Sequence, residues 1–273
     1  MLKKVIILIS VLLFIFSCSS PVMNKQEESK ANSLIKSIEK NANFYGDVPV
    51  KLIKASSYTN IRNSYWLQRD FTIRVKNLGT QKQVFIHHKL TDGSWTDMAA
   101  LYIGDADSNY EIWRLSFSSY CAYGDEFVVK YVVNGMTYWD NNNGQNYKLS
   151  ENGGEFLGNN IEVILNEASF NPTTNYFSGS INIKNLGFSK NVNIIYTTDN
   201  WATTNVAESY YEPYYYYGYA GKITNPNNYG VERWLFKLTT QNNNSGNIKF
   251  AISYDVNGVT YWDNNFGKDY ILP

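Results

Sequence analysis

Cysteine is scarce in this sequence, which has only Cys18 and Cys121 among 273 residues. Two cysteines cannot build the disulfide framework that stabilises many small exported domains. An isolated cysteine such as Cys121 is typical of a buried thiol. The fold must therefore rest on a hydrophobic core.

Net charge is also lacking, because 24 lysines and arginines balance 24 aspartates and glutamates. Binding to nucleic acid depends on a basic field that neutralises phosphates. We therefore expect no nucleic-acid partner, and a ligand that is uncharged or weakly charged.

Histidine is almost absent, and the two that occur, His87 and His88, are neighbours. Adjacent residues of a strand point to opposite faces, so this pair cannot share a metal or a catalytic triad. The signatures Gly-x-Ser-x-Gly, His-Glu-x-x-His and a phosphate-binding glycine loop are missing. The sequence predicts no enzyme, no cofactor and no metal site. A glycosidase that uses two carboxylates stays an alternative.

Apolar runs are short, and the longest, at residues 5–16, follows Lys3 and Lys4. This pattern is typical of a signal peptide over residues 1–17 rather than of a membrane-spanning helix. Residues 15–18 (Ile-Phe-Ser-Cys) resemble the bacterial lipoprotein cleavage box, which implies lipidation of Cys18. An ordinary signal peptide that contains a cysteine is the alternative.

The polar residues that follow complete this prediction of an exported protein. We expect residues 18–46 to be a tether, and the lipid to anchor the chain to the cell envelope without spanning it. Ser19, where an aspartate is associated with inner-membrane retention, favours the outer membrane.

An internal repeat organises the rest of the chain. The segment at 131–149, YVVNGMTYWDNNNGQNYKL, returns at 254–272 as YDVNGVTYWDNNFGKDYIL, with 13 of 19 positions identical. Upstream, NLG-x-x-K-x-V and a Thr-Asp turn that ends in tryptophan also occur twice. Such self-similarity indicates two copies of one unit. We predict a first copy at 47–149, a linker at 150–160 and a second copy at 161–273.

Both copies show the alternation of half-buried strands, as in residues 71–76 and 113–117. Turns rich in asparagine and glycine separate these strands, and no helical period follows residue 46. The predicted fold class is all-β, with two tandem antiparallel β-sandwich domains of immunoglobulin-like type.

Asn-Gly pairs near the end of each copy predict the direction of two tryptophans. Asn134-Gly135 and Asn257-Gly258 are preferred two-residue hairpin turns, so residue 130 faces 139 and residue 253 faces 262. Tyr131 and Tyr254 then point to the core, whereas Trp139 and Trp262 point to solvent, as in a binding platform. A tryptophan covered by a neighbouring loop is the alternative. Trp113 and Trp234 share a strand face with core residues and are predicted to be core.

The residues around these tryptophans suit a sugar ligand. A pyranose ring offers an apolar face for stacking and hydroxyls that donate and accept hydrogen bonds. An asparagine amide can both accept from and donate to such hydroxyls. The candidate amides follow Trp-Asp in both copies, although the same residues also form turns by bonding their own backbone. Trp95 and Trp201, which end the Thr-Asp turns, are further candidates for the platform.

The ordered motifs NLG-x-x-K-x-V, T-D-x-W and YWDNN-x-G-x-(N/D)-Y resemble the starch- and glycogen-binding modules of carbohydrate-binding family 21. Modules of this family also occur in the glycogen-targeting subunits of eukaryotic protein phosphatase. The resemblance covers residues 50–149 and 161–273 and implies α-glucan held at two sites of each sandwich.

The resemblance also implies which residues form these sites. The first site would comprise Trp95, Trp139, Asn141, Asn142 and Asn146 in the first copy, and Trp201, Trp262, Asn264, Asn265 and Asp269 in the second. Asp269 departs from the expected asparagine and accepts but hardly donates hydrogen bonds. The second site would comprise Phe188, Tyr210 and Tyr229. In the first copy Thr80 replaces the aromatic residue, and Tyr102 and Tyr110 leave a weak or missing site.

The function predicted from these features is non-catalytic binding of an α-glucan polysaccharide at the cell envelope. A separate glycoside hydrolase or a transporter is a further candidate partner. A phosphatase-targeting role is not predicted, because residues 82–85 lack the basic-Val-x-Phe order. The alternative is a surface adhesin that binds host protein or another glycan through the same sandwich and the tyrosine-rich insertion at 210–219, which does not discriminate between the two.

Overall fold

The structure is a computed structural model that describes residues 46–60, 66–106, 109–119, 123–216, 221–240 and 247–273. Every regular element of these residues is a β-strand, which confirms the all-β prediction. No helix within these ranges is long and apolar enough to span a membrane. The predicted signal peptide, the tether up to residue 45, Cys18 and Cys121 lie outside the described residues.

The first copy folds into two antiparallel sheets. Its strands are β1 (Val50–Asn60), β2 (Trp66–Lys76), β3 (Lys82–Leu90), β4 (Trp95–Ala99), β5 (Leu101–Asp105), β6 (Tyr110–Ser119), β7 (Tyr123–Val133), β8 (Met136–Asp140) and β9 (Tyr147–Lys148). A further strand, β10 (Gly154–Leu157), lies in the segment predicted as a linker. One sheet has the order β10-β1-β2-β6-β5, and the other has the order β4-β3-β7-β8, with β9 paired to β7.

The second copy repeats this plan. Its strands are β11 (Val163–Asn171), β12 (Tyr176–Lys184), β13 (Lys190–Thr197), β14 (Asn205–Glu208), β15 (Tyr210–Tyr211), β16 (Tyr214–Tyr216), β17 (Lys222–Thr224), β18 (Val231–Thr239), β19 (Ile248–Val256), β20 (Val259–Asp263) and β21 (Tyr270–Leu272). The sheets are β11-β12-β18-β15 and β14-β13-β19-β20, with β21 paired to β19. Strands β16 and β17 form a separate hairpin.

Each pair of sheets encloses an aromatic core. In the first copy, Phe71 of β2 meets Phe127 of β7 edge to face, with 5.0 Å between ring centroids. In the second copy, Phe177 of β12 contacts Phe236 and Phe250 in the same manner. All five rings are fully buried. The predicted core tryptophans, Trp113 and Trp234, pack against these cores but are only half-buried.

The hairpin register predicted from the Asn-Gly pairs is confirmed. Lys130 pairs with Trp139, and Ser253 pairs with Trp262. Asn134 and Asn257 have φ angles of 51° and 52°, and the glycines that follow have φ of 76° in both copies. Positive φ at both central residues is the geometry of a type I′ turn.

An aspartate connects the two sheets in each copy. Asp140 accepts hydrogen bonds from the Leu52 N–H at 2.7 Å and from the Tyr147 hydroxyl at 2.8 Å. Leu52 directly precedes a bulge in β1, where the register shifts. The carboxylate therefore links the end of β8 to the opposite sheet at an irregular point of the ladder.

The same link occurs in the second copy. Asp263 accepts from the Leu165 N–H at 2.6 Å and from the Tyr270 hydroxyl at 2.8 Å, and Leu165 precedes the bulge in β11. Asp263 is fully buried, and this burial raises the pKa of its carboxyl group. We call the two aspartates with their partners the aspartate clamps.

The NLG motif is also held by repeated contacts. Lys82 Nζ binds Asn77 Oδ1 at 2.7 Å and pairs with Glu111, and Lys190 Nζ binds Asn185 Oδ1 at 2.6 Å and pairs with Glu232. The turn asparagine of each copy donates to the leucine carbonyl of this motif at 2.9 Å. Much of the repeated sequence therefore serves the framework.

The two copies pack against each other. A third apolar cluster joins Ile53, Tyr110 and Leu157 to Ile164 and Phe266. Backbone atoms of the predicted linker take part, since the carbonyl of Glu155 accepts from Asn227 Nδ2 at 2.8 Å and that of Gly158 accepts from Lys184 Nζ at 2.7 Å. The segment between the copies therefore contacts both of them, through the pairing of β10 with β1 and through these bonds from the second copy. The division of the chain into domains stays a prediction.

We expect Asp263→Ala to lower the free energy of unfolding by roughly 3 kcal/mol or more. The change leaves the Leu165 N–H and the Tyr270 hydroxyl without their acceptor, and a buried unpaired group costs about 1–3 kcal/mol. Urea unfolding measures the loss. The control Asp255→Ala, which removes a partly exposed carboxylate, should change stability by less than about 0.5 kcal/mol. Equal losses in the two variants would contradict the role of the clamp.

His88 provides a second test, because burial lowers its pKa to about 4. The unfolded chain, with a histidine pKa near 6.5, binds the proton first as the pH falls. Stability is therefore lost between about pH 6.5 and pH 4, by up to about 3 kcal/mol. As the pH falls from 6.5 to about 4, the free energy of unfolding should decrease more steeply for the wild type than for His88→Gln. Parallel pH profiles would show that His88 does not titrate in this way.

Candidate functional site

Three aromatic rings lie together on the outer face of the first copy. His87 stacks on Trp95 with 5.0 Å between ring centroids and an angle of 14° between planes. The edge contact of His87 with Trp139 has a centroid distance of 5.4 Å and an angle of 71°. The two predicted tryptophans are thus joined through a histidine, and their planes are steeply inclined. We call Trp95, His87 and Trp139 the aromatic ledge.

The strand pairing explains this arrangement. His87 pairs with Asp97 of β4, Lys89 pairs with Trp95, and Lys130 of β7 pairs with Trp139. Paired residues share a face of the sheet, so all of these side chains point outward. Trp139 is 47% exposed, as predicted, and the ledge is open to solvent there.

Charged groups surround the ledge. Asp97 accepts from His87 Nδ1 and Lys130 Nζ, both at 2.6 Å. Although burial opposes the shift, these bonds hold the pKa of Asp97 below its usual value. Lys130 Nζ also lies 5.7 Å from the Trp139 ring and 5.4 Å from the Phe85 ring. The surroundings of the aromatic ledge therefore present a negative and a positive group beside apolar rings.

The asparagines of the first copy are divided between the turn and the surface. Asn141 is exposed, and its Oδ1 accepts from the Gly144 N–H at 3.0 Å. Asn142 donates to the Asn146 carbonyl at 3.1 Å. Asn146 Nδ2 donates to Glu126 Oε1 at 2.7 Å, and Glu126 pairs with Lys89 beside Trp95. These amides shape the loop, as the turn alternative predicts, and the loop adjoins the ledge.

The second copy departs from the prediction at Trp262. Its register is as predicted, but the side chain is only 5% exposed, and its indole N–H makes no hydrogen bond within the described residues. The outer face of this sheet carries Ile195, Ala251 and Ser253, all buried, where the first copy has His87, Val128 and Lys130. A less polar outer face is covered rather than solvated. The prediction that Trp262 points to solvent is therefore wrong.

The other residues of this predicted site are tied to the framework. Trp201 is half-buried, and its indole N–H donates to Asp269 Oδ2 at 3.0 Å. Asn264 is buried, and its Oδ1 accepts from the Gly267 N–H at 2.9 Å. Asn265 donates to the Asp269 carbonyl at 3.0 Å. Burial raises the pKa of Asp269.

The residues predicted for a second site are dispersed. Phe188 is fully exposed. Tyr210 is 36% exposed, and Lys237 Nζ lies 5.4 Å from the centre of its ring. Tyr229 is half-buried, stacks edge to face on Phe156 at 5.3 Å and donates to the Ser150 carbonyl at 3.2 Å. Tyr229 therefore belongs to the junction between the copies.

In the first copy, Tyr102 is exposed, with its hydroxyl 2.8 Å from Asp105 Oδ1. Tyr110 is buried, donates to Asp47 Oδ1 at 2.6 Å and lies under the Arg74 guanidinium at 3.3 Å. Burial and this hydrogen bond raise the pKa of Tyr110 to about 12. Because the Arg74 guanidinium covers its ring, Tyr110 does not offer a free surface for stacking on a ligand.

The tyrosine-rich insertion forms strand β15 and the hairpin of β16 and β17. Tyr214 and Tyr216 are exposed on one face of the hairpin, with centroids 5.9 Å apart. Tyr215 is buried, and the Arg233 guanidinium lies 4.1 Å from its ring. The hairpin is thus anchored on one side only. Tyr217 and Tyr219 lie outside the described residues.

Sequence reasoning missed His87 and Phe85 as members of the first-copy surface. The strand alternation contained the signal, because residues 85, 87 and 89 share the face opposite the core residues Val84 and Ile86.

Comparisons with known proteins agree with the repeated motifs. The sequence model of the carbohydrate/starch-binding module (family 21) matches residues 70–150 and 158–273. Glucoamylase 1 of Rhizopus oryzae is 35% identical over 106 residues, which are 37% of this chain and 15% of that protein. Protein phosphatase 1 regulatory subunit 3B of Danio rerio is 35% identical over 92 residues, 34% of this chain and 29% of that protein. The chain thus spans less than a third of either relative.

Solved structures were also found. The starch binding domain of Rhizopus oryzae glucoamylase, in complex with β-cyclodextrin and maltoheptaose, is 34% identical, with a TM-score of 0.32. The match covers 38% of this chain and 94% of that domain. The carbohydrate binding module of the muscle glycogen-targeting subunit of Protein Phosphatase-1 is 22% identical, with a TM-score of 0.31, covering 40% and 73% of the two chains.

The burial of the two repeated tryptophans predicts opposite effects of their removal. Trp262→Ala should lower the free energy of unfolding by about 3–5 kcal/mol, as expected of a core cavity. Trp139→Ala should lower it by less than about 1 kcal/mol, because that ring is half in solvent. Thermal or urea unfolding of both variants tests this. A larger loss for Trp139→Ala would contradict the structure.

Proposed function

The chain belongs to the family of carbohydrate/starch-binding modules of family 21, and from this premise we propose that it binds α-glucan without catalysis, chiefly through the aromatic ledge of the first copy. The observation that carries the proposal is the contact of His87 with both Trp95 and Trp139. Exposed rings of this size forgo burial and are retained where a ligand covers them.

The inclination of the ledge favours a curved chain. A flat, extended β-linked glucan presents successive sugar faces in one plane and needs coplanar rings. An α-1,4-linked glucan turns from one unit to the next, so its faces meet rings that are inclined to each other. Lys130, Asp97 and Asn146 around the ledge offer donors and acceptors to the sugar hydroxyls.

We propose that the two copies contribute unequally. The second copy keeps the framework of the module, but Trp262 is buried. Asn264 and Asn265 bond within their own loop, and the Asp269 carboxylate accepts from Trp201. The aromatic side chains that the second copy exposes include Phe188 and, on the tyrosine hairpin, Tyr214 and Tyr216. The tandem arrangement therefore presents one ledge and one differently shaped surface.

The two repeated carboxylates, Asp140 and Asp263, do not support a catalytic alternative. Asp140 and Asp263 both accept hydrogen bonds from a backbone N–H and a tyrosine hydroxyl, so their oxygens are engaged in the clamps. A glycosidase needs two carboxyl groups that flank one bond. The repeated aspartates sit instead between the sheets of separate sandwiches.

The cellular setting is part of the same proposal. The signal peptide and the lipidation of Cys18 would export the chain and anchor it to the envelope, with the outer membrane as the favoured site. A polysaccharide binder in that place would hold glucan near a glycoside hydrolase or a transporter.

Adhesion to host protein or to another glycan is a second candidate function. It is favoured by the exposed Phe188, Tyr214 and Tyr216, which lie outside the ledge. Exposed tyrosines suit protein recognition as well as sugars. Loss of partner binding in Tyr216→Ala, with glucan binding intact, would identify this function.

The glucan proposal predicts retardation of the chain in native gels that contain amylose or glycogen. Trp139→Ala should weaken binding at least about tenfold, the effect of losing roughly 1.4 kcal/mol. Tyr216→Ala is the matched control for loss of an exposed aromatic side chain, and hydroxyethyl cellulose is the control for a β-linked glucan. A folded wild type that migrates equally in all gels would overturn the proposal.

A further inference from the structure

A cleft of about 240 Å³ lies where the first and second copies meet. Strands β5 and β6 of the first copy form one side, and β11 with the loop after β20 forms the other. The residues that line it include Lys54, Asp105, Arg114, Asn166, Asn265 and Phe266. Trp95, Trp139 and the residues around the aromatic ledge do not belong to this lining.

The cleft offers hydrogen-bonding groups of several kinds. The Arg114 side chain is exposed and makes no hydrogen bond or ion pair with other residues that the structure describes. Lys54 is half-buried, and its Nζ lies 3.5 Å from Glu155 Oε1. Asp105 Oδ1 accepts a hydrogen bond from the Tyr102 hydroxyl at 2.8 Å. Positive and negative groups are therefore both present, which favours a neutral ligand with many hydroxyls over an anion.

Apolar groups form the rest of the lining. Phe266 is buried in the cluster between the copies, and Ile103 is 54% exposed at the side of the cleft. Together with Tyr270 they provide apolar surface next to the polar groups. Apolar walls with a few convergent polar groups are the usual composition of small-ligand sites.

The loop after β20 differs from its counterpart in a way that creates this cleft. Phe266 and Lys268 stand where the first copy has Asn143 and Gln145. Phe266 packs against the first copy, and Lys268 Nζ donates to the Asp105 carbonyl. The second copy thus uses its motif loop to meet the first copy, and Asn265 lines the cleft that results.

We propose that this cleft is a binding site for one or two glucose units of an α-glucan, separate from the aromatic ledge. The inference rests on the proposed function and extends it to a site that both copies build. Its volume lies below the range of about 300–1,000 Å³ typical of drug-sized ligands, so the end of a chain or a short stretch fits better than a long segment.

Two variants test the site without disturbing the framework. Arg114→Ala removes an exposed side chain that the fold does not use. Gly104→Phe fills the cleft, because a Cβ at Gly104 meets nothing within 4 Å and its φ is not in the left-handed region. Lys148→Ala, an exposed charge on β9, is the matched control.

The full-length protein is titrated with maltotriose, and binding is followed by the NMR chemical shifts of the backbone amides. We expect saturable shifts at Gly104, Asp105 and Asn265, and a separate set at His87 and Trp139. Arg114→Ala and Gly104→Phe should weaken the first set at least about fivefold, roughly 1 kcal/mol, and leave the second unchanged. Lys148→Ala should change neither.

The outcomes separate this inference from the proposed function. Shifts at the ledge alone would overturn the cleft site and leave glucan binding in place. Shifts at the cleft alone would support the site and overturn the assignment of the ledge. No shifts at either place, in a folded chain, would overturn both.

Discussion

The aspartate clamp is the interaction on which the rest of each sandwich depends. Strand β8 or β20 ends at this aspartate, and its carboxylate reaches across to a bulged strand of the opposite sheet. Its second partner, the hydroxyl of Tyr147 or Tyr270, fixes where the chain returns after the loop. The clamp therefore sets both ends of the asparagine-rich loop and the position of the tryptophan just before it. A residue inside a binding motif is thus primarily a structural one.

With the framework fixed in this way, the two copies have been free to differ on their surfaces. His87 in the first copy and Ile195 in the second occupy equivalent positions. The face that carries His87 is aromatic and open to solvent at Trp139, whereas Ile195 is buried. The change from Asn143 to Phe266 converts a polar loop into a contact between the copies. A few outward-facing substitutions therefore decide whether the same fold leaves an aromatic face open to solvent or packs against its neighbour.

The fold was largely predictable because local rules determined it. The Asn-Gly turns set the register of Lys130 with Trp139 and of Ser253 with Trp262, and alternation then placed Tyr131 and Tyr254 in the core. The candidate site was predictable only in part. Alternation tells which face a side chain points to but not whether another segment covers that face, which is why the prediction failed for Trp262. Tyr229 is half-buried and Tyr110 buried at the junction of the copies, a contact between distant segments that no local pattern contains.

Strand β10 has a consequence for how the protein behaves among its own kind. It is the outermost strand of its sheet, and a row of unpaired backbone groups at a sheet edge is a template for aggregation. Here the second copy covers that row, because Asn227 caps the Glu155 carbonyl and Tyr229 packs on Phe156. The second copy therefore prevents β10 from pairing with a strand of another molecule, so it protects this edge of the first copy in addition to being a second module.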